Sequence, residues 1–289
     1  INSWEFVGIR GQVIGKFLED WSIGLNTDES IRVYEASMNF FDTNVWFGPW
    51  PFAPLPRNGA ADIEQRLSRF GISEALVSPF ETVFQVDPMP GNRALLKTLQ
   101  KRKGLRSLPV MNPGTAAWED HLDELSDDPE VTGVRLLPAY HGYRLNSVAV
   151  RRLVERLALK KLRLVITARL VDERHEHPAI SIKPVSVKQL AGFVERNPKS
   201  SPLIQGLGVH ELGELAKASG HFSTDTSFAE WEDTLKVLKG FLPVSRILYG
   251  SLSPLQVTRA QVDKVRLSSL SARQRDAVAC GNAIRYFGV

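Results

Sequence analysis

The sequence predicts an α/β fold, a parallel (β/α)8 TIM barrel over residues 38–289 preceded by an N-terminal extension over residues 1–37. Three observations predict it. Eight short runs rich in β-branched and apolar residues recur along the 289 residues. Most of these runs are continuous rather than alternating, the pattern of strands covered on both faces. Most are also followed by segments with helical periodicity, so strand and helix alternate as they do in a parallel barrel.

The eight runs, in order, are Met38–Asn44, Ala75–Pro79, Arg106–Met111, Thr132–Leu137, Leu162–Thr167, Pro202–Leu207, His221–Asp225 and Arg246–Ser251. The helical segment after the first run, Asp62 to Phe70, is closed by Gly71, a residue suited to a left-handed cap. The segment from Asn146 to Lys160 has Asn146 or Ser147 as N-cap, and Val148, Leu153, Val154, Leu157 and Leu159 supply its apolar positions. The extension carries a candidate helix around Gly11–Trp21 that would close the barrel bottom or form a contact between subunits of a homo-oligomer. No G-x-G-x-x-G follows the first run, which argues against an open dinucleotide-binding sheet.

Composition narrows the function classes. Lys and Arg exceed Asp and Glu by a net charge of only +4, and the cations are scattered among acids, with clusters such as Lys101-Arg102-Lys103 where helices should end. No basic stripe interleaved with aromatics marks a nucleic-acid surface, so nucleic acid is not an expected partner. No run approaches the roughly eighteen apolar residues of a membrane span. The chain begins with Ile1 rather than Met, so the expected compartment is cytoplasmic, or exported after processing of an upstream segment. The single Cys280 excludes an intrachain disulfide and a cysteine-based zinc cluster.

The stretch Phe41-Asp42-Thr43-Asn44-Val45-Trp46-Phe47-Gly48 resembles the signature Asp-x-His-x-His-x-Gly that opens amidohydrolase-related barrels. The resemblance continues through Gly133 to Tyr143, Asp172 to Pro178, Phe222 to Ser227, Leu248 to Ser251 and Gly281-Asn282-Ala283, so it covers roughly residues 38 to 287 in order. It implies a metal centre at the strand ends, but Asn44 and Trp46 stand in the two histidine places, Thr167 in the strand-five histidine place and Leu252 in that of the strand-eight aspartate. None of these is a good zinc ligand, and leucine cannot move a proton. The expectation is therefore a divergent member with no metal and no cofactor.

Groups at the C-terminal ends of the strands are the candidates for chemistry, because barrel sites lie there. His141, beside Tyr143, is the candidate acid or base, with Asp172 as a third catalytic group. Arg135 and Arg169 are candidates to hold a substrate carboxylate, with Asn44, Trp46 and Asp225 as further binding residues. Each arginine would equally serve as a structural partner of a strand-end carboxylate such as Asp172 or Asp225. His175 and His177 have His-x-His spacing but no third ligand at a matching distance, so a solvated polar loop is the simpler account. Trp46, Phe47, Trp50 and Phe52 form a stiff aromatic loop able to floor a pocket.

Three functions fit these residues. The first is a hydrolase of a small acidic or cyclic substrate acting without the standard metal, with His141 as acid or base and Arg135 and Arg169 stabilising negative charge. The second is a catalytically inactive small-molecule-binding or scaffold barrel, in which Trp46 and Leu252 fill the old site. The third is a metal-dependent hydrolase with its metal displaced to His141, His175 or His177.

Overall fold

In the computed structural model the described residues are 38–172, 176–177 and 182–289. The extension over residues 1–37, with its candidate helix, lies outside them, as do Glu173, Arg174 and His175. All nine strand segments are parallel: β1 (Phe40–Phe47), β2 (Ile72–Pro79), β3 (Leu105–Ser107), β4 (Val110–Met111), β5 (Gly133–Leu136), β6 (Arg163–Thr167), β7 (Leu203–Gln205), β8 (Ser223–Asp225) and β9 (Ile247–Leu248). Between them run α1 (Ala60–Ser68), α2 (Met89–Leu99), α3 (Trp118–Ser126), α4 (Val148–Lys160), α5 (Val187–Arg196), α6 (Val209–Ala218) and α7 (Thr234–Phe241); α8 (Thr258–Arg266) and a C-terminal helix α9 (Asn282–Phe287) follow. All eight predicted runs fall on these strands. The third is split, because Pro109 has no N–H to give the ladder.

Hydrogen bonds join the segments into one ring. Leu108 N donates to Val77 O at 2.8 Å, and Arg135 N donates to Pro109 O at 2.8 Å, so the chain crosses its own interruption. Asn92 of α2 stitches the break from outside: its Nδ2 donates to Val110 O at 2.7 Å and its Oδ1 accepts from Val110 N at 3.0 Å. The last strand returns to the first through Thr43 N to Tyr249 O at 3.0 Å and Trp46 N to Ser253 O at 2.9 Å, with a parallel bridge between Val45 and Ser253. The result is an eight-stranded barrel in which β3 and β4 together make the third stave.

Local signals set the helix ends. Ser147 caps α4, its Oγ accepting from Val150 N, and Ser186 forms a capping box with Gln189 at the start of α5. Gly71, at φ +77°, takes the left-handed conformation expected of it, three residues beyond α1. Among the described residues no helix is long and apolar enough to cross a membrane.

Because the strands are parallel, sequence order along each one is height in the barrel. The lower residues Phe41, Leu76, Leu108, Val165, Leu203 and Leu248 pack into one apolar cluster with Ala283 and Phe287 of α9. Higher residues, Trp46, Val110, Leu137, Leu170 and Leu252, form a second cluster with Trp50, Phe80 and Val83. Polar side chains lie at intermediate heights, and there the candidate site begins.

Candidate functional site

The buried polar layer is built around Asn44 and Arg135. Asn44 Nδ2 donates to Asp225 Oδ2 at 3.0 Å and to Ser227 Oγ at 3.3 Å, while its Oδ1 accepts from Trp46 Nε1 at 3.1 Å and from Arg135 Nη1 at 3.0 Å. The Arg135 guanidinium also lies 4.4 Å from the centre of the Trp46 ring, a cation–π contact, and Arg135 and Trp46 are both fully buried. Asp42 Oδ1 accepts from the backbone N–H groups of Ser251 and Asn44 at 2.9 and 3.0 Å, which ties β1 to the segment that follows β9. Asn44, Trp46, Arg135 and Asp225, four of the expected binding residues, are thus brought into one connected network.

Burial governs the charges here. It pushes the Asp42 carboxyl up to about 6, against the hydrogen bonds from Ser251 and Asn44, and the nearby Asp225 charge adds to the rise. Asp225 is raised too, chiefly by burial, while Ser227, Asn44 and Arg135 oppose the shift. Burial pulls Arg135 down to about 9, and Asp225 and Asp42 work in the opposite direction. Arg135 therefore remains a cation at neutral pH. Its Nε and Nη2, together with Asp42 Oδ2 and Gln205 Oε1, find no hydrogen-bond partner among the described residues.

Above this layer the second apolar cluster separates the network from the barrel mouth. Trp46 stacks on Phe80 at 5.2 Å and 16°, and Phe80 packs against Trp50 at 5.1 Å. Leu252 completes the lid at φ +53°, a left-handed backbone that a leucine adopts only at a cost of roughly 1–2 kcal/mol. Leu252, which stands where the resemblance places an aspartate, is 1% exposed and packs in the same cluster as Trp46.

On the outer side of Trp50 and Leu252 opens a cavity of about 200 Å³. It is lined by the aromatic Phe52, Phe84, Tyr140 and Phe228 and by the polar Asp172, Glu176, His177 and Gln256. The His177 ring packs on Phe52 at 5.8 Å, and Phe84 meets Phe52 edge-on at 5.2 Å. Tyr140 is fixed by its hydroxyl, which accepts from Leu170 N at 3.1 Å, and burial pushes its pKa up to about 12, so it stays neutral.

The remaining expected residues lie apart from the Asn44 network. His141 closes a one-turn helix, Pro138–His141, and its Nε2 donates to Thr82 O at 2.9 Å, bracing the loop after β5 against the loop after β2. That bond assigns the proton to Nε2, and burial lowers the pKa, so the imidazole is neutral at pH 7. The Tyr143 ring lies 6.3 Å from His141, and burial raises its hydroxyl well above the ordinary value. Arg169 pairs with Glu211 in the first turn of α6 and lies 5.9 Å from the Phe228 ring. Among the catalytic candidates Asp172 alone lines the cavity. Phe84, Phe228 and Leu255 were not singled out in the sequence; the available signal was an aromatic or apolar residue within a few positions of a strand end.

This architecture is that of a parallel (β/α)8 TIM barrel. No family model matches the sequence, and no curated protein is similar to it in sequence. Among solved structures, the chain is similar to 2,6-dihydroxybenzoate decarboxylase from Rhizobium, with a TM-score of 0.70 at 13% identity over 87% of this chain and 99% of that one. It is also similar to a dihydroxybenzoic acid decarboxylase from Polaromonas sp. JS666 holding manganese and 2-nitroresorcinol, with a TM-score of 0.71 at 12% identity over 87% and 97%. A protein assigned as a 2-pyrone-4,6-dicarboxylic acid hydrolase from Pseudomonas putida gives a TM-score of 0.62 at 18% identity over 87% and 98%. At such identities the likeness carries the fold and not the chemistry.

These neighbours correct one expectation. The sequence led to no metal and no cofactor, yet the Polaromonas enzyme and 5-carboxyvanillate decarboxylase from Novosphingobium aromaticivorans both hold manganese. The expectation failed because it equated loss of imidazole at the familiar positions with loss of metal, whereas manganese also accepts oxygen donors. Asn44, Thr167 and Leu252 do not supply a ligand set, however. Among the described residues no group of three or more His, Cys, Asp or Glu side chains is arranged to hold an ion, and the Arg135 cation lies within the Asn44 network.

Proposed function

We propose that this barrel binds a small planar ring compound in the cavity at its mouth. The observation that carries the reading is the cavity itself: five aromatic side chains, Trp50, Phe52, Phe84, Tyr140 and Phe228, line it, beside the polar Asp172, Glu176, His177 and Gln256. Flat apolar walls gain most from a flat ligand, through burial and offset or edge-on ring contacts worth about 0.5–1.5 kcal/mol each. The polar lining then selects: Asp172 and Glu176 accept hydrogen bonds from hydroxyl or amino substituents, and the His177 imidazole supplies one further donor or acceptor. Of the two substrate classes expected, this favours the cyclic one over the acidic one, because Arg135 and the Asn44 network lie beneath Trp46 and Leu252. In this reading the buried network is the rigid floor that holds Trp46 and hence the cavity wall.

The test is a panel of hydroxylated benzenes and nitrogen heterocycles titrated against tryptophan fluorescence and calorimetry, with and without added manganese. At least one compound should bind, and Phe84→Ala and His177→Ala should each weaken it by about tenfold. Wild-type affinity in both variants, or no response to any ring compound, sinks the proposal.

A second reading draws on the manganese held by the neighbours: a metal-dependent hydrolase or lyase on the same barrel. The ion, when bound, would polarise a carboxyl or carbonyl oxygen of the ring compound. Electron paramagnetic resonance of added manganese separates the two readings. Loss of the free-ion signal on adding protein supports the metal-dependent one, and a free-ion signal unchanged by an excess of protein removes it.

A further inference from the structure

Two adjoining depressions run along the outer face between α4 and α5 and share Arg196. One, of about 450 Å³, is lined by Arg144 and Lys188 near the helix starts. The other, of about 680 Å³, is lined by Lys161, Arg163 and Lys199 near the helix ends. Against these six cations the described linings hold a single carboxylate, Glu155.

None of the six forms an ion pair with a described residue. Elsewhere on the surface Arg93, Arg102, Arg106, Arg152, Arg156 and Arg259 each grip a carboxylate. Helix dipoles account for part of the pattern, since Lys161 and Arg196 sit where helix carbonyls end and cations are favoured. They do not account for Arg144, just before the N-cap Ser147, or for Lys188, in the first turn of α5. There the dipole opposes a cation, and neither first turn contains an acid.

We propose that this groove docks an acidic segment of a partner polypeptide. Its floor decides the kind of polyanion. Val154 and Leu162 offer partly exposed apolar contacts, and among the described residues no aromatic side chain lines either depression, so those linings offer bases no stacking platform. A chain carrying alternate carboxylates and aliphatic side chains meets both the rim and the floor. The groove follows α5, whose ten residues span roughly 15 Å, the reach of about five extended residues.

The experiment is fluorescence anisotropy of a labelled peptide of alternating glutamate and leucine, titrated with the full chain at rising salt. Binding should weaken as salt rises, and the triple variant Lys188→Glu, Arg196→Glu, Lys199→Glu should lose at least about tenfold in affinity with an unchanged far-ultraviolet spectrum. A lysine–leucine peptide should not bind. The proposal is overturned if the acidic peptide fails to bind, if the triple variant binds it as the wild type does, or if an oligothymidine binds more tightly than the peptide.

Discussion

Asp42 shows how much of this protein rests on single buried groups. Its folded-state carboxyl is pushed up to about 6 from the ordinary 3.8, so the folded chain holds the proton more tightly than the unfolded chain does. The stability this contributes is present below the unfolded value and is lost as pH rises through about 6. Asp42→Asn keeps an oxygen to accept from Ser251 and Asn44. It should therefore raise stability above pH 7 by about 1–3 kcal/mol and flatten the slope between pH 4 and 6, as read by urea denaturation across pH. Gly250 is a second such point. A Cβ there would lie 2.3 Å from Asp225 Oδ2 and 3.0 Å from Asp225 Cβ, so Gly250→Ala should push the carboxylate off Asn44. The expected cost is about 2–4 kcal/mol, with a changed near-ultraviolet circular dichroism signal from Trp46.

At the scale of elements, the weak stave is the third. β3 and β4 are only three and two residues long, and Pro109 stands between them. Asn92 of α2 compensates, because both backbone groups of Val110 are satisfied by one fully buried amide. Asn92→Ala should therefore cost about 2–4 kcal/mol, more than a helix-surface substitution, because it leaves a buried donor and acceptor without partners. Denaturant midpoints of Asn92→Ala beside a control such as Lys97→Ala, on the same helix, would check this. The loops obey a similar economy: the turn Pro138–His141 presents Tyr140 to the cavity while His141 braces Thr82.

For the whole molecule, closure depends on the cluster beneath the polar layer. Phe287 of α9 is 5% exposed, stacks on Phe41 at 6.5 Å and packs with side chains from six staves. Phe287→Ala should lower stability by about 3–5 kcal/mol in one cooperative transition with an unchanged denaturant slope, since no stave can loosen alone. Much of this molecule was legible in the sequence. The eight runs gave the staves because parallel strands covered on both faces must be apolar throughout, and Ser147 and Gly71 marked local ends because capping is a property of a few neighbouring residues. Asn44, Trp46, Arg135 and Asp225 were legible as strand-end groups from their positions alone. Their joining into one network beneath Trp46 and Leu252 was not, since it depends on contacts between residues as far apart as Asn44 and Asp225. Phe84, Phe228 and Leu255 escaped notice for the same reason, each being an ordinary apolar residue until ring closure sets it beside the others. Sequence by itself determined the alternation of elements and hence the barrel, because periodicity and capping act over a few residues. The tertiary structure decided which strand-end groups are sealed inside and which line the open cavity, because burial belongs to all staves together.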